Sequence, residues 1–353
     1  MTIRKCKIRY HYEFPGLPIT DADIQYLCDH TMRNIMTFSA SFDILRGWPG
    51  HRMPDLFISD ETIRRTYGKY STNVVKKLIE TYLEQHEASA YTGILRNLLE
   101  CLDPSSSSFK ELVDCLDREI SGSRERDDFV RDWNPGKELL DAEEILDALK
   151  NIRHTVKVMG TYDPDKNKIT LYVNTIADYF DKAPIAYDRE KILTGMEIVL
   201  AHELFHFIHF QAGGHNKTER KKTWNCTSRN LHCKESVTEG LARWFEYMWC
   251  DVGRYGNKVY DWYIQEIRSE CRRLYYPGWP YAAAGAFIFN NQNGCTEALH
   301  VFEESLAPES DHWEASYELL CSYDPHNPAR RLNNRIHSPN PKMIFLTNSN
   351  TRP

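Results

Sequence analysis

Apolar residues recur along this chain at two periods, and the switch between them marks its elements. In "MTIRKCKIRYHYEF" Cys6, Ile8, Tyr10, Tyr12 and Phe14 alternate with Lys5, Lys7, Arg9, His11 and Glu13, the period of a half-buried strand. The period lengthens to that of a helix in "TDADIQYLCDHTMRNIMTF", which opens on a Thr/Asp cap signal, and again in "STNVVKKLIETYLEQ" and "AYTGILRNLLECL". "DPSSSSFKELVDCL" breaks at Pro104 and restarts with Ser108 and Glu111 in the register of a capping box. Residues 1–120 therefore read as an α-rich region, and no catalytic pattern falls within it.

The stretch 121–137, "SGSRERDDFVRDWNPGK", is polar and punctuated by Gly and Pro, as expected of a linker. Beyond it "ELLDAEEILDALKNI" predicts a helix, and "HTVKVMGTYDPDKNKITLYVN" a hairpin folded about Asp-Pro-Asp-Lys-Asn. A long amphipathic helix follows from about Arg189 to Gln211, closed by Gly213 and Gly214, which suit a left-handed cap. Another runs from about Glu235 to Cys250, with more in "CTEALHVFEESL" and "HWEASYELLCSY". The expected fold is α+β and mainly helical. Its parts are the α-rich region 1–120, the linker 121–137, a domain over 138–340 with a small sheet and hairpin packed on the long helix, and a polar tail over 341–353.

Charge narrows the function classes. The net charge is −6, from 44 basic and 50 acidic residues that are interspersed, so there is no basic field for nucleic acid and no basic recognition face on the N-terminal helices. No apolar run approaches the length of a membrane span, and the alternation at the start is not the apolar core of a signal peptide. The 10 cysteines are scattered through a long chain, and most of them read as reduced, buried thiols. A cytoplasmic protein is the expectation.

The candidate chemistry lies in "MEIVLAHELFHFIHFQAGGH", Met196 to His215. Residues four apart stand one turn apart on one helical face, so His202 and His206 can aim at one point. Glu203, about 100° round the helix from His202, stands where a general base beside a metal-activated water would be. Zinc catalysis uses three protein ligands and one open position, so a third ligand must come from elsewhere. His209 shares the face of His202 but lies about 10 Å further along the axis, which makes it a rim or core histidine. His215 lies beyond the glycines and would have to fold back. Glu235 and Glu239, four apart in "ESVTEGLARWFEYMW", face the same way; one can bind the ion while the other supports a ligand histidine.

"TEGLARWFEY" resembles the second motif of the gluzincin metallopeptidases, N-E-G-x-A-x-x-x-E, which follows H-E-x-x-H and whose first glutamate binds zinc. Glu239, Gly240, Ala242 and Glu246 match it, and Thr238 stands in place of the asparagine. The resemblance implies a zincin-like domain in which Zn2+ is held by His202, His206 and Glu239, with Glu235 second to Glu239. "GWPYAAAGAFIF" is similar to the family's P-Y-x-K-G segment, whose tyrosine hydrogen-bonds the oxyanion, although the lysine is missing and the spacing is one residue longer. By that resemblance Tyr281 takes the role, with Tyr275 and Tyr276 as alternatives. The G-x-M-E-N segment by which the group's aminopeptidases hold a free amine is not found, which points to an endopeptidase acting on peptide or protein substrates. "KITLYVNTI" is expected to form the edge strand of its cleft. Two other readings keep the zinc. In one the chain is a regulatory protease with few substrates, since bacterial repressor-cleaving peptidases pair H-E-x-x-H with an E-x-x-A that Glu239 and Ala242 satisfy. In the other it is a binding protein without turnover, against which the intact Glu203 argues.

Overall fold

The computed structural model describes residues 9–11, 18–42, 53–86, 89–104, 106–124, 141–150, 152–185, 187–214, 216–224, 231–253, 256–273, 284, 288, 298–299, 301–302 and 305–306. They form an α+β structure, mainly helical with a small sheet. The chain divides into two compact units: residues 1–63, 157–272 and 280–353 make the first, and 64–156 with 273–279 the second.

The first unit begins with β1 (Arg9–His11), α1 (Asp21–Phe42) and β2 (Asp55–Ser59). Thr20 starts α1 as its sequence suggests: its amide and hydroxyl donate to Asp23 Oδ2 at 2.7 and 2.8 Å, and the hydroxyl accepts from the Asp23 amide. The chain then passes through the second unit, with β3 (Ile63–Tyr67), α2 (Thr72–Gln85), α3 (Thr92–Glu100), α4 (Ser107–Arg124), α5 (Ala142–Lys150) and β4 (His154–Val158). There β3 pairs with β4, and Val75, Ile79, Leu98, Phe109, Val113 and Leu149 close a separate core. The cap of α4 is Ser106, whose hydroxyl accepts from the Phe109 amide at 3.1 Å, so Ser108 lies inside the helix rather than capping it.

The first unit resumes with β5 (Gly160–Asp163), β6 (Lys168–Tyr172), α6 (Val173–Phe180), α7 (Asp188–Ala212), α8 (Lys217–Trp224), α9 (Leu231–Gly253) and α10 (Lys258–Arg273). The division therefore falls near residues 63 and 157, not at the expected boundaries of 120 and 138. The reason is long-range pairing: β2 runs parallel to β6 from Asp55↔Lys168 to Ser59↔Tyr172, and Ile24, Leu27 and Ile35 of α1 share a core with Leu200 and Leu204 of α7. Of the expected linker, 121–124 is the last turn of α4 and 125–137 lies outside the described residues, as do the tail over 341–353, "HWEASYELLCSY" and much of "CTEALHVFEESL".

The sheet has the order β1-β2-β6-β5, with β5 alone antiparallel. The hairpin forms from β5 and β6, and its turn is held by Asp163 Oδ1, which accepts from the amides of Asp165 and Lys166 at 3.0 and 3.1 Å. This corrects the expected edge. β6 lies between β2 and β5 and is buried from Ile169 to Tyr172, while the residues after it open α6; among the described residues the strand at this end of the sheet is β5. An unbroken run such as "ITLY" marks a strand covered on both faces, whereas an edge strand can keep polar positions.

Between Met196 and Phe210, α7 is buried on every face, with only Glu197 partly exposed. It is a central helix, not the amphipathic one expected, because α1, α6, α9 and the β5–β6 hairpin surround it. Gly195 admits α6 at close range: a Cβ there would stand 2.7 Å from Phe180 Cδ2 and 2.8 Å from Ile176 Cγ2. Gly213 ends the helix at φ −70° and ψ 4°, so it is not a left-handed cap. Its carbonyl is instead satisfied by the Thr223 hydroxyl at 2.7 Å, and a Cβ would crowd that threonine at 3.1 Å. Among the described residues no helix is long and apolar enough to cross a membrane, and Cys28, Cys101, Cys115 and Cys250 are free thiols.

Candidate metal centre

Two buried helices supply the site, α7 from one side and α9 from the other. On α7 the four-residue spacing brings the Nε2 atoms of His202 and His206 to 3.0 Å from each other. Across from them Glu239 of α9 places Oε2 3.2 Å from His202 Nε2 and 3.5 Å from His206 Nε2. The three side chains are only 8%, 8% and 13% exposed. Donors about 2.0–2.1 Å from one ion at the tetrahedral angle stand about 3.3–3.4 Å apart, and the observed triangle brackets that separation. His202, His206 and Glu239 thus present one face of a tetrahedral site, with the donor set of two imidazoles and a carboxylate that suits a divalent metal.

Electrostatics support the same set. Burial acts against charge on His202, yet the carboxylates of Glu246 and Glu239 outweigh it and lift this imidazole to about 10. Burial also opposes ionisation of Glu239, but the two facing histidines hold its carboxyl well below the usual range. A cation at the shared point would take the place of the proton that these groups compete for.

The other nitrogen of His202 meets a second carboxylate that the sequence reading gave no role. Glu246 Oε2 lies 3.4 Å from His202 Nδ1 and accepts from Arg243 Nη1 at 2.8 Å, while its Oε1 accepts from the Tyr263 hydroxyl at 2.9 Å. Arg243 also donates to the Tyr263 oxygen, and Tyr263 stacks on Phe180 of α6. Burial works against the charge on Glu246, but Arg243 and His202 bring its carboxyl down to about 2. Glu246 thus supports a ligand histidine, a role the sequence reading had weighed only for Glu235 and Glu239. The signal was present: Glu246 follows Glu239 by two helical turns, on the same face, with a basic residue one turn before it.

Glu203 is buried beside the triangle, 5% exposed, and its charge helps to raise His202. Val199 and Glu203 face Gly160 of β5, so the edge strand passes directly over this carboxylate. Trp224 closes the other side, its ring edge-on to His206 at 6.1 Å and to Tyr162 at 6.4 Å. His209 is a core residue, its Nε2 2.7 Å from the hydroxyl of Ser305, which itself donates to the Phe302 carbonyl. Tyr281, Tyr275, Tyr276 and His215 lie outside the described residues, and so does the side chain of Glu235, whose backbone is on α9.

No protein-family model matches this chain, and no curated protein or solved structure is similar to it at a significant level.

Proposed function

We propose that this chain is a zinc-dependent endopeptidase of gluzincin type, built on a zincin-like unit, with His202, His206 and Glu239 as ligands and Glu203 as general base. The observation that carries the reading is the buried triangle of donors at 3.0, 3.2 and 3.5 Å, with Glu203 next to His202 in sequence and β5 lying against Glu203. Three protein ligands leave one position open, the arrangement of a catalytic rather than a structural site.

A bound zinc ion supplies Lewis acidity there, polarising the carbonyl and making water nucleophilic at neutral pH. Glu203 takes a proton from the attacking water and returns it to the departing amine nitrogen, so that the carbonyl carbon gains the water oxygen as the C–N bond breaks. Glu246 fixes the ring of His202, and Arg243 keeps Glu246 ionised. An extended peptide adds to β5, the last strand of the sheet among the described residues, rather than to β6. Tyr281 is the proposed oxyanion donor by resemblance alone.

The test compares wild type with Glu203→Gln. Both should carry about one zinc per chain, because Glu203 has no part in holding the ion. New termini generated from a mixed pool of peptides are read by mass spectrometry. Zinc-dependent cuts within chains, lost in the variant, would establish an endopeptidase. Removal of terminal residues only would replace that reading with an exopeptidase. Cuts confined to one or two intact proteins would make it a regulatory protease, and a metal-loaded wild type that is inert on peptides and native lysate would leave a binding protein.

A further inference from the structure

The edge strand touches α7 at the residue on which the proposed reaction depends. Alternate residues of β5 face the helix. At the first of them, Gly160, a Cβ would stand 2.6 Å from Val199 Cγ1, 2.8 Å from Glu203 Oε1 and 2.9 Å from Glu203 Cγ, closer than side chains tolerate. At the second, Tyr162, the ring packs edge-on against Phe207 at 5.8 Å and Phe210 at 6.2 Å. Two strand residues advance about 6.6 Å and one helical turn of four residues about 6 Å, so strand and helix run in step, Gly160 on Glu203 and Tyr162 on Phe207.

Torsion does not explain this glycine. Gly68 and Gly256 are the glycines with positive φ among the described residues, and Gly160 is not one of them. What the position requires is space. Nor can the strand easily retreat, since Gly160 pairs with the fully buried Leu171 on β6 and Tyr162 is set among Phe207, Phe210 and Trp224.

We infer that Gly160 is a positioning residue for Glu203: the missing side chain lets the backbone of the edge strand lie against the general base, so that base and strand-bound peptide share one frame of reference. The inference rests on the peptidase reading. A methyl group at 160 must displace either the Glu203 carboxylate, the far end of a flexible side chain, or the strand itself; His202, His206 and Glu239 are not among the nearest atoms that it would meet. Misplacing a reacting group by about an ångström costs on the order of 10²-fold in rate.

The experiment sets Gly160→Ala beside Glu203→Gln and Lys166→Ala, an exposed residue of the hairpin turn outside β5. Cobalt(II) is titrated into each metal-free protein, and its visible absorption is followed against pH. Gly160→Ala should bind cobalt at wild-type stoichiometry, move the pH midpoint of the spectrum in the same direction as Glu203→Gln, and lower kcat on the peptide pool on the order of 10²-fold, while Lys166→Ala changes neither. A wild-type midpoint and a wild-type kcat in Gly160→Ala would overturn the inference. So would loss of cobalt, which would make the contact a support of the ligands.

Since the Val199 clash could unfold the single variant, Gly160→Ala/Val199→Ala is made as well. It removes the nearer obstacle and leaves the new methyl facing Glu203, so its kcat should stay low. Recovery to the level of Val199→Ala would place the defect in strand packing and refute a role through Glu203. A wild type that binds no cobalt, or whose spectrum is unmoved by Glu203→Gln, would instead bring down the peptidase reading itself.

Discussion

Replacing Glu246 with alanine should destabilise the metal-free protein and weaken metal binding by two separable amounts. The change removes the carboxylate that accepts from Arg243 at 2.8 Å, where the two side chains are 5% and 3% exposed. Breaking a buried ion pair by removing one member costs about 3–5 kcal/mol. Because Arg243 keeps its contact with the Tyr263 oxygen, the lower end of that range is expected. Metal affinity falls for a different reason: His202 Nδ1 loses the acceptor at 3.4 Å that sets the ring's orientation, a loss on the order of 10–100-fold. The double variant Glu246→Ala/Arg243→Met separates the effects. It removes the buried guanidinium charge as well and fills its volume with an apolar chain, so most of the stability should return while metal affinity stays low. Urea unfolding in the presence of a chelator measures the first quantity, and competition for zinc against a chromogenic chelator the second. Recovery of both in the double variant would show that the network serves stability alone. A cost below about 1 kcal/mol for Glu246→Ala would contradict the burial of Arg243 on which the reasoning stands.

The remaining expectations are shorter. Glu239→Ala should abolish stoichiometric zinc, whereas Glu235→Ala should leave it nearly intact, as metal analysis of the two proteins would show; the reverse order would reassign the third ligand. Gly195→Ala should lower stability by about 1–2 kcal/mol, because crowding Phe180 and Ile176 exceeds the roughly 1 kcal/mol that alanine gains in a helix, and a thermal melt reads the difference. In the second unit, burial and the like charge of Asp117 raise Asp114 to about 7, so from the ordinary 3.8 up to that value the folded form holds a proton that the unfolded chain releases. Stability of that unit therefore falls as pH rises through this window, and Asp114→Asn should flatten the fall and raise the melting temperature at pH 8. An unchanged pH profile in that variant would assign the dependence to other groups.

How much of this was readable beforehand depends on whether the partners lie on one element. His202 and His206 share a helix, so their spacing alone carries the geometry, and the distance of 3.0 Å between their nitrogens follows from it. Glu239 lies on another helix, 37 residues from His202, and spacing could not choose between it and Glu235; the motif resemblance made that choice. The role of Glu246 was missed because Glu235, Glu239 and Glu246 all fall on one face of α9, and only the first two were weighed. What distinguishes Glu246 is Arg243 one turn before it, a buried base that stabilises a buried acid, and this pairing within an apolar helix could have been read from "ARWFE". The edge strand and the domain boundary failed for a common physical reason. Strand periodicity tells which face of a segment is covered but not which of its sides is paired, and the partner of β6 on its inner side is β2, which lies beyond the whole second unit in the chain. Once β2 takes that side, β6 is central, β5 is forced to the edge, and Gly160 comes to lie on Glu203. The contact proposed to position the base is thus a consequence of a pairing between β2 and β6 that no local pattern in either strand announces.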